Sequence, residues 1–449
     1  MGDQRRGRAV VLGGSMAGLL AARVLAESYA EVTLVDRDVL TGVAGPRRGV
    51  PQGRHVHRFL SRGQEVVEGL FPGFTADLVA AGAVTGDASA GNRLVVDGRQ
   101  IRQGHAGRLS VSVSRPTLER VVRERVRALP RVRFLERHDI LGLRTTVDRA
   151  RVTGVTVASR DRTDGAERAL DADLVVDTTG RGSRTPAWLE QLGYGRVEEE
   201  AVKIGLGYAT RHFRLPADPF PGLYALDVVY SPAHPRGGIC AKIDGGRTVV
   251  TTYGILGDAP PTDPDGFLDF LKSLSTPGIY EALRGAEPLD NLVGYRFPAN
   301  LRRRYERLAA FPAGLLVLGD AVCSFNPTYA QGITVAALGA LTLRRHTASG
   351  RTPEAGRYFR DLARDAVDTA WSLAVGNDLG FPGVEGERTE QTRAQAAYMA
   401  RVLDAATRDA DIALVWGRVL GLVDPPEALM SPEVSELLRL DAERVGAGR

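Results

Sequence analysis

The N-terminal segment constrains the fold more than any other part of this 449-residue chain. In RAVVLGGSMAGLLAARVLAESYAEVTLVDRD, an apolar strand leads into a glycine turn, a helix, and a second apolar strand that ends on an acid. Apolar runs of this length, separated by one helix, are typical of parallel strands buried on both faces. The segment therefore predicts a βαβ unit at the start of an α/β domain.

The turn of this unit carries a glycine fingerprint. Gly13, Gly14 and Gly18 fit the tight turn and the close packing of helix against strand. Ser15 takes the second glycine position of the usual pattern, where a small side chain still lets a pyrophosphate approach. Asp36 ends the second strand, in the position that binds a ribose hydroxyl. With strand, helix and acid in register, the pattern favours dinucleotide binding over an ordinary turn.

A second informative segment lies late in the chain. Residues 315–318 are an apolar run that predicts a short buried strand, with Gly319 and Asp320 at its carboxyl end. Open α/β sheets bind ligands at that end of their strands. Pro327 and Gly332 then precede ITVAALGALTL, a helical stretch whose N-terminal amides would face an anionic partner such as a reduced flavin.

These features resemble a known family, the flavoprotein monooxygenases of the aromatic-hydroxylase and squalene-epoxidase type. That family carries an N-terminal FAD fingerprint, a central Asp-Gly segment and a late Gly-Asp segment, which match residues 13–18, 177–183 and 319–332. The resemblance covers roughly residues 8–345. The chain is also similar to bacterial polyketide-tailoring epoxidases and hydroxylases in GVPQGRHVH at 49–57, SRPTLE at 114–119, VVDTTGRGSRTPAWLE at 175–190 and NPTYAQG at 326–332.

The resemblance implies FAD as the cofactor and assigns residues to it. Asp36 and Arg37 would hold the adenosine ribose region, and Arg115 the phosphate side. Asp320 would hold the ribityl and pyrophosphate part, with Gly332 beneath the flavin ring. The candidate cofactor-binding residues are Gly13, Gly14, Ser15, Ala17, Gly18, Asp36, Arg37, Arg54, Arg115, Gly319, Asp320 and Gly332.

The function implied by the resemblance is FAD-dependent monooxygenation. A flavin C4a-hydroperoxide would transfer oxygen from O₂ to a hydrophobic polyketide- or terpenoid-like intermediate, giving an epoxide or a hydroxylated product. No catalytic side chain is assigned, since the cofactor supplies the chemistry. An oxygen-independent FAD reductase of the prenyl-reductase type and a non-catalytic FAD-binding protein stay open. Flavin-dependent halogenases on this scaffold are marked by a Trp-rich motif and an early catalytic lysine. Halogenation is disfavoured here, because no lysine precedes Lys203 and the three tryptophans are far apart.

One departure from the family concerns the electron source. The aromatic hydroxylases have an Asp directly before the central Gly, where it helps to place FAD and the nicotinamide cofactor. Here Thr179 precedes Gly180, and Asp177 lies two residues earlier. We therefore expect electrons from NADPH or NADH either directly, through transient docking, or through a separate flavin reductase.

The substrate pocket is expected beside a second sheet. Residues 201–256 alternate polar and apolar side chains, which predicts an antiparallel sheet that could roof a pocket over the flavin. The pocket candidates are Tyr208, Tyr253, Tyr295, Phe297, Asn326 and Pro327. His55 and His57 are interpreted as loop residues near the flavin, since no third ligand at suitable spacing suggests a metal site.

The predicted fold class is α/β (α+β), with a Rossmann-like FAD-binding domain, an inserted antiparallel-sheet substrate domain and a helical C-terminal region. The FAD-binding domain is predicted in three parts, 1–80, 106–185 and 298–345, interrupted by a hairpin of the substrate domain at 81–105 and by its sheet at 186–297, and followed by the helical region at 346–449.

Composition excludes several other classes of protein. The net charge is +4, but only three of the 58 basic residues are lysines and the arginines are spread along the chain, which argues against a nucleic-acid patch. Two cysteines exclude a disulfide framework. We find no signal peptide and no apolar run long enough to span a membrane, so a cytoplasmic enzyme is expected. The oligomeric state stays open.

Overall fold

A computed structural model describes residues 6–161, 166–348 and 352–447. In chain order its strands are β1 (Arg6–Leu12), β2 (Tyr29–Val35), β3 (Val84–Asp87), β4 (Asn92–Val96), β5 (Arg99–Gln100), β6 (Leu109–Ser112), β7 (Val132–Leu135), β8 (His138–Thr145), β9 (Val152–Ser159), β10 (Glu167–Asp171), β11 (Leu174–Asp177), β12 (Glu199–Arg214), β13 (Ala225–Val229), β14 (Arg236–Ile243), β15 (Arg247–Gly254), β16 (Glu287–Pro288), β17 (Val293–Arg303), β18 (Leu315–Val317) and β19 (Cys323–Ser324).

The α-helices are α1 (Met16–Ser28), α2 (Ser61–Leu70), α3 (Phe74–Ala80), α4 (Arg115–Arg127), α5 (Thr185–Leu192), α6 (Pro264–Lys272), α7 (Gly278–Ala282), α8 (Gly332–Thr347), α9 (Ala355–Leu362), α10 (Asp368–Leu379), α11 (Glu390–Ala406), α12 (Ala410–Leu420) and α13 (Pro432–Ala447).

The first sheet is parallel and has the order β18-β11-β1-β2-β7. Residues 9–12 of β1 and all of β11 and β18 are buried, as their apolar sequences predict. Helix α1 packs against β1 and β2, α4 packs against β7, and α8 packs against α1, while β9 contacts β11. Strand β11 begins at Leu174, three residues after Asp171 ends β10. The late strand β18 lies next to β11, so the carboxyl ends of β1, β11 and β18 meet at one edge.

The second sheet has the order β19-β17-β12-β15-β14-β13-β4-β5. Strands β12 to β15 pair antiparallel, which confirms the prediction from alternation. The 92–101 hairpin turns through Asp97 and Gly98, whose φ angles are 51° and 73°. This hairpin joins the sheet through a parallel pairing of β4 with β13, which the local pattern could not predict.

The C-terminal region is mainly helical, as predicted, and α9 to α13 lie there. A π-helical turn at Ala363–Val367 links α9 to α10. In the described ranges, none of the helices is both long and apolar enough to cross a bilayer. The predicted fold class is confirmed, while the domain boundaries stay predictions. Residues 1–5, 162–165, 349–351 and 448–449 of the predicted domains lie outside the described residues.

Candidate flavin site

The glycine turn between β1 and α1 is fixed by backbone contacts. Gly13 has a φ of 97°, which favours glycine. A Cβ atom on Gly18 would lie 1.8 Å from the carbonyl oxygen of Gly13, so α1 can begin this close to the strand only with glycine there. Thr178 donates from Oγ1 to the carbonyl oxygens of Leu12 (2.7 Å) and Gly13 (3.0 Å). The central segment therefore braces the N-terminal fingerprint.

The start of α1 leaves its backbone amides free for a ligand. Ser15 is the N-cap residue, but its side chain makes no capping hydrogen bond, because its hydroxyl is directed towards Glu119 and Arg115. The first amides of a helix have no partners within the helix. They and the helix dipole therefore favour an anion at this point.

Asp36 lies at the end of β2, as predicted. Its Oδ2 accepts from the Gly14 amide at 2.6 Å and its Oδ1 from the Asp38 amide at 2.7 Å. Burial raises the pKa of Asp36, and Arg47, at 3.6 Å, opposes part of that rise. The carboxylate is thus held in one orientation beside the glycine turn, where it could accept from a ribose hydroxyl.

Arg47 and Glu119 form a buried ion pair that sequence reasoning missed. The Arg47 guanidinium donates to Glu119 Oε1 from Nε (2.8 Å) and Nη2 (2.6 Å). Burial alone would raise the pKa of Glu119, but Arg115 and Arg47 hold it below its usual range. The sequence did offer a signal for Glu119: it follows Arg115 by four residues on a helix, and residues at that spacing share a face. Nothing in the local sequence pointed to Arg47.

Arg115 is the first residue of α4 and lies over the start of α1. Its Nη2 donates to Ser15 Oγ at 2.8 Å and to Glu119 Oε2 at 3.2 Å. Its Nε is buried and has no hydrogen-bond partner among the described residues. A buried donor without a partner is costly. An oxygen of an anionic ligand at the start of α1 would satisfy it.

Asp320 follows β18 and faces the same region. A Cβ on Gly319, whose φ is 70°, would lie 2.7 Å from Ala17 Cβ, so this turn packs directly on the first turn of α1. A Cβ on Gly332, at the start of α8, would lie 3.8 Å from Asp320 Oδ1. Burial raises the pKa of Asp320, with Arg115 and Arg181 opposing that rise. The structure thus brings together the early and late predicted segments.

Two arginines that the sequence did not single out hold these turns in place. Arg181 donates to the Ala299 carbonyl at 2.7 Å and to Ser324 Oγ at 2.6 Å, and its guanidinium lies 4.9 Å from the Phe297 ring centroid. Arg303 donates to the carbonyls of Arg181 (2.9 Å) and Ala321 (3.1 Å). The central and late turns are therefore tied to the second sheet.

Thr179, which stands where the aromatic hydroxylases have an Asp, is hydrogen-bonded to Asp177 within the central segment. Asp177 is fully buried, and its Oδ1 accepts from the amide of Thr179 at 2.8 Å and from its hydroxyl at 2.6 Å. Its Oδ2 accepts from Ser183 and Thr185. Asp177 is thus occupied in stabilising the turn, and its carboxylate is not available to a ligand.

The loop carrying His55 and His57 is fixed to the second sheet. His55 Nδ1 lies 2.7 Å from Thr210 Oγ1, and its ring contacts the ring of Tyr208 edge-on at 4.5 Å. Burial lowers the pKa of His55 to about 4 and that of His57 to about 3, so both rings are neutral at pH 7. Arg58 pairs with buried Asp227 on β13. Among the described side chains, no cluster of His, Cys, Asp and Glu could hold a metal ion.

The pocket candidates divide into two groups. Tyr208, Tyr253, Tyr295 and Phe297 belong to one apolar cluster, in which the Tyr208 and Tyr295 ring centroids are 5.2 Å apart. Pro327, by contrast, is exposed. The cluster also includes Ile204, Leu206, Tyr230, Ile255, Phe381 and Val384.

Asn326 is fully buried and contacts a residue from the C-terminal region. Its Nδ2 donates to Tyr230 Oη at 2.7 Å and to Asp378 Oδ1 at 2.8 Å. The turn it begins ends at Ala330, a non-glycine residue with a φ of 57°. Gln331 is buried, and its Oε1 has no hydrogen-bond partner in the described part of the chain.

Two predicted residues lie at the edge of this arrangement. Arg37 and Arg54 are exposed. Arg54 lines a cavity of about 140 Å³ that extends from Arg115 and His57 to His212 and Asp290 on the second sheet. The two arginines are therefore not part of the buried set around Ser15, Arg115 and Asp320.

The residues present fit a flavin dinucleotide in three respects. The uncapped starts of α1 and α8 suit a pyrophosphate and an anionic ring. The unpartnered Nε of Arg115 suits a phosphate oxygen. Among the described residues, a Cβ on Gly332 would meet only Asp320 Oδ1 within 4 Å, at 3.8 Å, so the start of α8 is open beside Asp320.

Comparison with known proteins places the chain in a family. No model of a protein family matches it. It is 35% identical to Protein Rv3254 of Mycobacterium tuberculosis over 458 residues, covering 96% of this chain and 94% of the relative. Its fold is similar to the flavin-dependent brominase Bmp2 (TM-score 0.66, 14% identity, 98% and 99% of the two chains). It is also similar to p-nitrophenol 4-monooxygenase PnpA of Pseudomonas putida DLL-E4 (TM-score 0.65, 16% identity, 93% and 99%). The chain therefore belongs to the same family as Rv3254, and its fold is that of the FAD-dependent monooxygenase family.

Proposed function

We propose that this protein is an FAD-dependent monooxygenase that epoxidises or hydroxylates a hydrophobic polyketide- or terpenoid-like intermediate. The observation that carries the proposal is the convergence of Ser15, Arg115, Asp320 and Gly332 around two uncapped helix starts. Arg115 Nε supplies an unpartnered buried donor at that point. Bound FAD would supply the redox chemistry, namely activation of O₂ for transfer to the substrate.

In this proposal the chain's own residues orient the cofactor. Asp36 accepts from the ribose hydroxyls, and Arg115 donates to the pyrophosphate. Asp320 accepts from the ribityl chain, and α8 directs its N-terminal dipole at the ring. The positive end of that dipole favours the negative charge that a flavin gains on reduction.

The apolar cluster of the second sheet supports a hydrophobic substrate. Tyr208, Tyr295 and Phe297 form a surface of aromatic rings on β12 and β17. Arg181 contacts both Phe297 and β19, and so connects this surface to the late turn beside Asp320. Such surroundings exclude water from an oxygen-transfer reaction.

Oxygen-independent reduction and halogenation are the competing reactions on this fold. The fold does not separate these reactions, but the sequence disfavours halogenation: no lysine precedes Lys203, whereas the halogenases use an early lysine. The carboxylate of Asp177 already accepts hydrogen bonds from Thr179, so it does not replace the family's Asp in placing a nicotinamide cofactor. This supports slow direct reduction by NADPH and hence a role for a separate flavin reductase.

Reoxidation kinetics test the proposal. The FAD-loaded protein is reduced with dithionite without oxygen and then mixed with oxygenated buffer in a stopped-flow spectrometer. A monooxygenase is expected to return to oxidised flavin in two resolved phases. A single phase, unaffected by chloride or bromide, would favour the reductase, and halide-dependent kinetics would favour a halogenase.

A further inference from the structure

A buried carboxylate of the C-terminal region contacts the turn that leads into α8. Asp378 lies near the end of α10 and is completely buried. Burial of a charge is costly unless cations or hydrogen bonds compensate for it. The donors to Asp378 in the described structure are all neutral: Asn300, Asn326 and Tyr329.

The three hydrogen bonds divide between the two carboxylate oxygens. Asp378 Oδ2 accepts from Asn300 Nδ2 at 2.6 Å. Asp378 Oδ1 accepts from Asn326 Nδ2 at 2.8 Å and from Tyr329 Oη at 2.7 Å. The carboxylate thus joins β17 to both ends of the short turn at Pro327–Tyr329.

The partners of Asp378 cannot easily rearrange. Asn300 Oδ1 already accepts from the Asn326 amide at 2.5 Å, so rotating the Asn300 side chain would break that bond. Asn326 Oδ1 accepts from Thr328, and its Nδ2 also donates to Tyr230. Each group in this network is therefore used in one orientation only.

The turn held in this way sets the position of the α8 N-terminus. It passes through the left-handed Ala330 to Gln331, whose Oε1 has no partner among the described residues, and then to Gly332 beside Asp320. Its strained backbone needs support from its surroundings. Asp378 provides that support from outside the three segments that resemble the FAD-binding family.

We propose that Asp378 is a positioning residue of the flavin site, which fixes the Asn326–Tyr329 turn and hence the start of α8 against the flavin. This inference rests on the proposed function, because it assumes that α8 faces FAD. It makes the C-terminal helices a part of the cofactor site and not only a cover over the second sheet.

The test is the affinity of the apoprotein for FAD in three variants. Asp378→Asn places an amide donor opposite Asn300 Nδ2, and we expect about a tenfold weaker affinity. Asn300→Asp combined with Asp378→Asn restores a donor and an acceptor at every contact, since the new aspartate accepts from both the Asn326 amide and the new asparagine. We expect the pair to recover affinity to within about threefold of the unchanged protein.

A control and a milder variant separate positioning from general stability. Asp441→Asn removes another buried carboxylate of the C-terminal region, one that pairs with Arg408. It should lower the thermal midpoint but leave FAD affinity unchanged. Tyr329→Phe removes a single donor to Asp378 and should weaken FAD affinity about threefold, which keeps the test valid if Asp378→Asn does not fold.

The outcomes distinguish the two proposals. Unchanged FAD affinity in Asp378→Asn or in Tyr329→Phe would overturn the inference and leave the proposed function standing. Failure of the paired exchange to restore affinity would also overturn it. An unaltered protein that binds no FAD would overturn the proposed function, and the inference with it.

Discussion

Replacement of Arg115 by glutamine should weaken FAD binding without unfolding the protein. The variant loses the contacts of Nη2 to Ser15 and Glu119 and the unpartnered Nε donor. Glu119 keeps its two hydrogen bonds from Arg47 at 2.6 and 2.8 Å, so its charge stays compensated. The fold around α4 should therefore survive.

The size of the effect follows from the lost donor. A hydrogen bond to a charged group contributes about 1.5–3 kcal/mol. If Arg115 Nε donates to a phosphate oxygen of FAD, its loss should raise the dissociation constant roughly tenfold to a hundredfold. The loss of attraction between the guanidinium and the phosphate would add to this effect.

Titration of apoprotein with FAD, followed by quenching of flavin fluorescence, measures this change. Arg123→Gln is the matched control, because Arg123 is also buried on α4 and lies 3.5 Å from Glu119 but does not contact Ser15. It should leave FAD affinity within about threefold. If Arg115→Gln binds FAD as tightly as the control, Arg115 does not bind the cofactor.

Three further predictions concern the same region. Asp320→Ala should purify without the yellow colour of flavin, and full flavin content in this variant would contradict the role given to that carboxylate. NADPH alone should reduce the flavin slowly and Thr179→Asp should accelerate the reduction, whereas rapid reduction of the unaltered protein would refute the account of Thr179. His55 stays neutral in the folded state down to about pH 4, while the unfolded state gains a proton below about pH 6.5. The contribution of neutral His55 to the free energy of unfolding is therefore complete above pH 6.5. It is lost on acidification, by about 2 kcal/mol between pH 7 and about pH 5. Urea unfolding at both pH values measures this loss. The free energy of unfolding of His55→Gln should fall by about 2 kcal/mol less between pH 7 and pH 5 than that of the unaltered protein, and an equal fall in both proteins would contradict this prediction.

The fold was largely predictable because its signals are local. The strand, glycine turn, helix and acid at residues 8–36 specify a parallel βαβ unit, and alternation specifies the antiparallel sheet. The pairing of β4 with β13 was not predictable, since it joins segments more than a hundred residues apart and depends on how the hairpin packs.

The candidate site was predicted only where residues follow motifs. Ser15, Asp36, Arg115 and Asp320 lie in such motifs, and the structure brings them to one edge of the parallel sheet. Their roles toward FAD stay predictions. Arg47, Arg181 and Arg303 are three among many arginines, so composition hides them. Asp378 gave no signal at all, because its partners lie on β17 and in the turn before α8, which only the folded chain brings together.

A crystal structure of the FAD-loaded protein would show whether FAD binds where Ser15, Arg115 and Asp320 converge. We expect Arg115 Nε within hydrogen-bond distance of a pyrophosphate oxygen, Asp36 on the adenosine ribose, and the flavin ring against the start of α8. An FAD molecule bound elsewhere, or Arg115 Nε still without a partner when FAD is bound, would contradict this expectation.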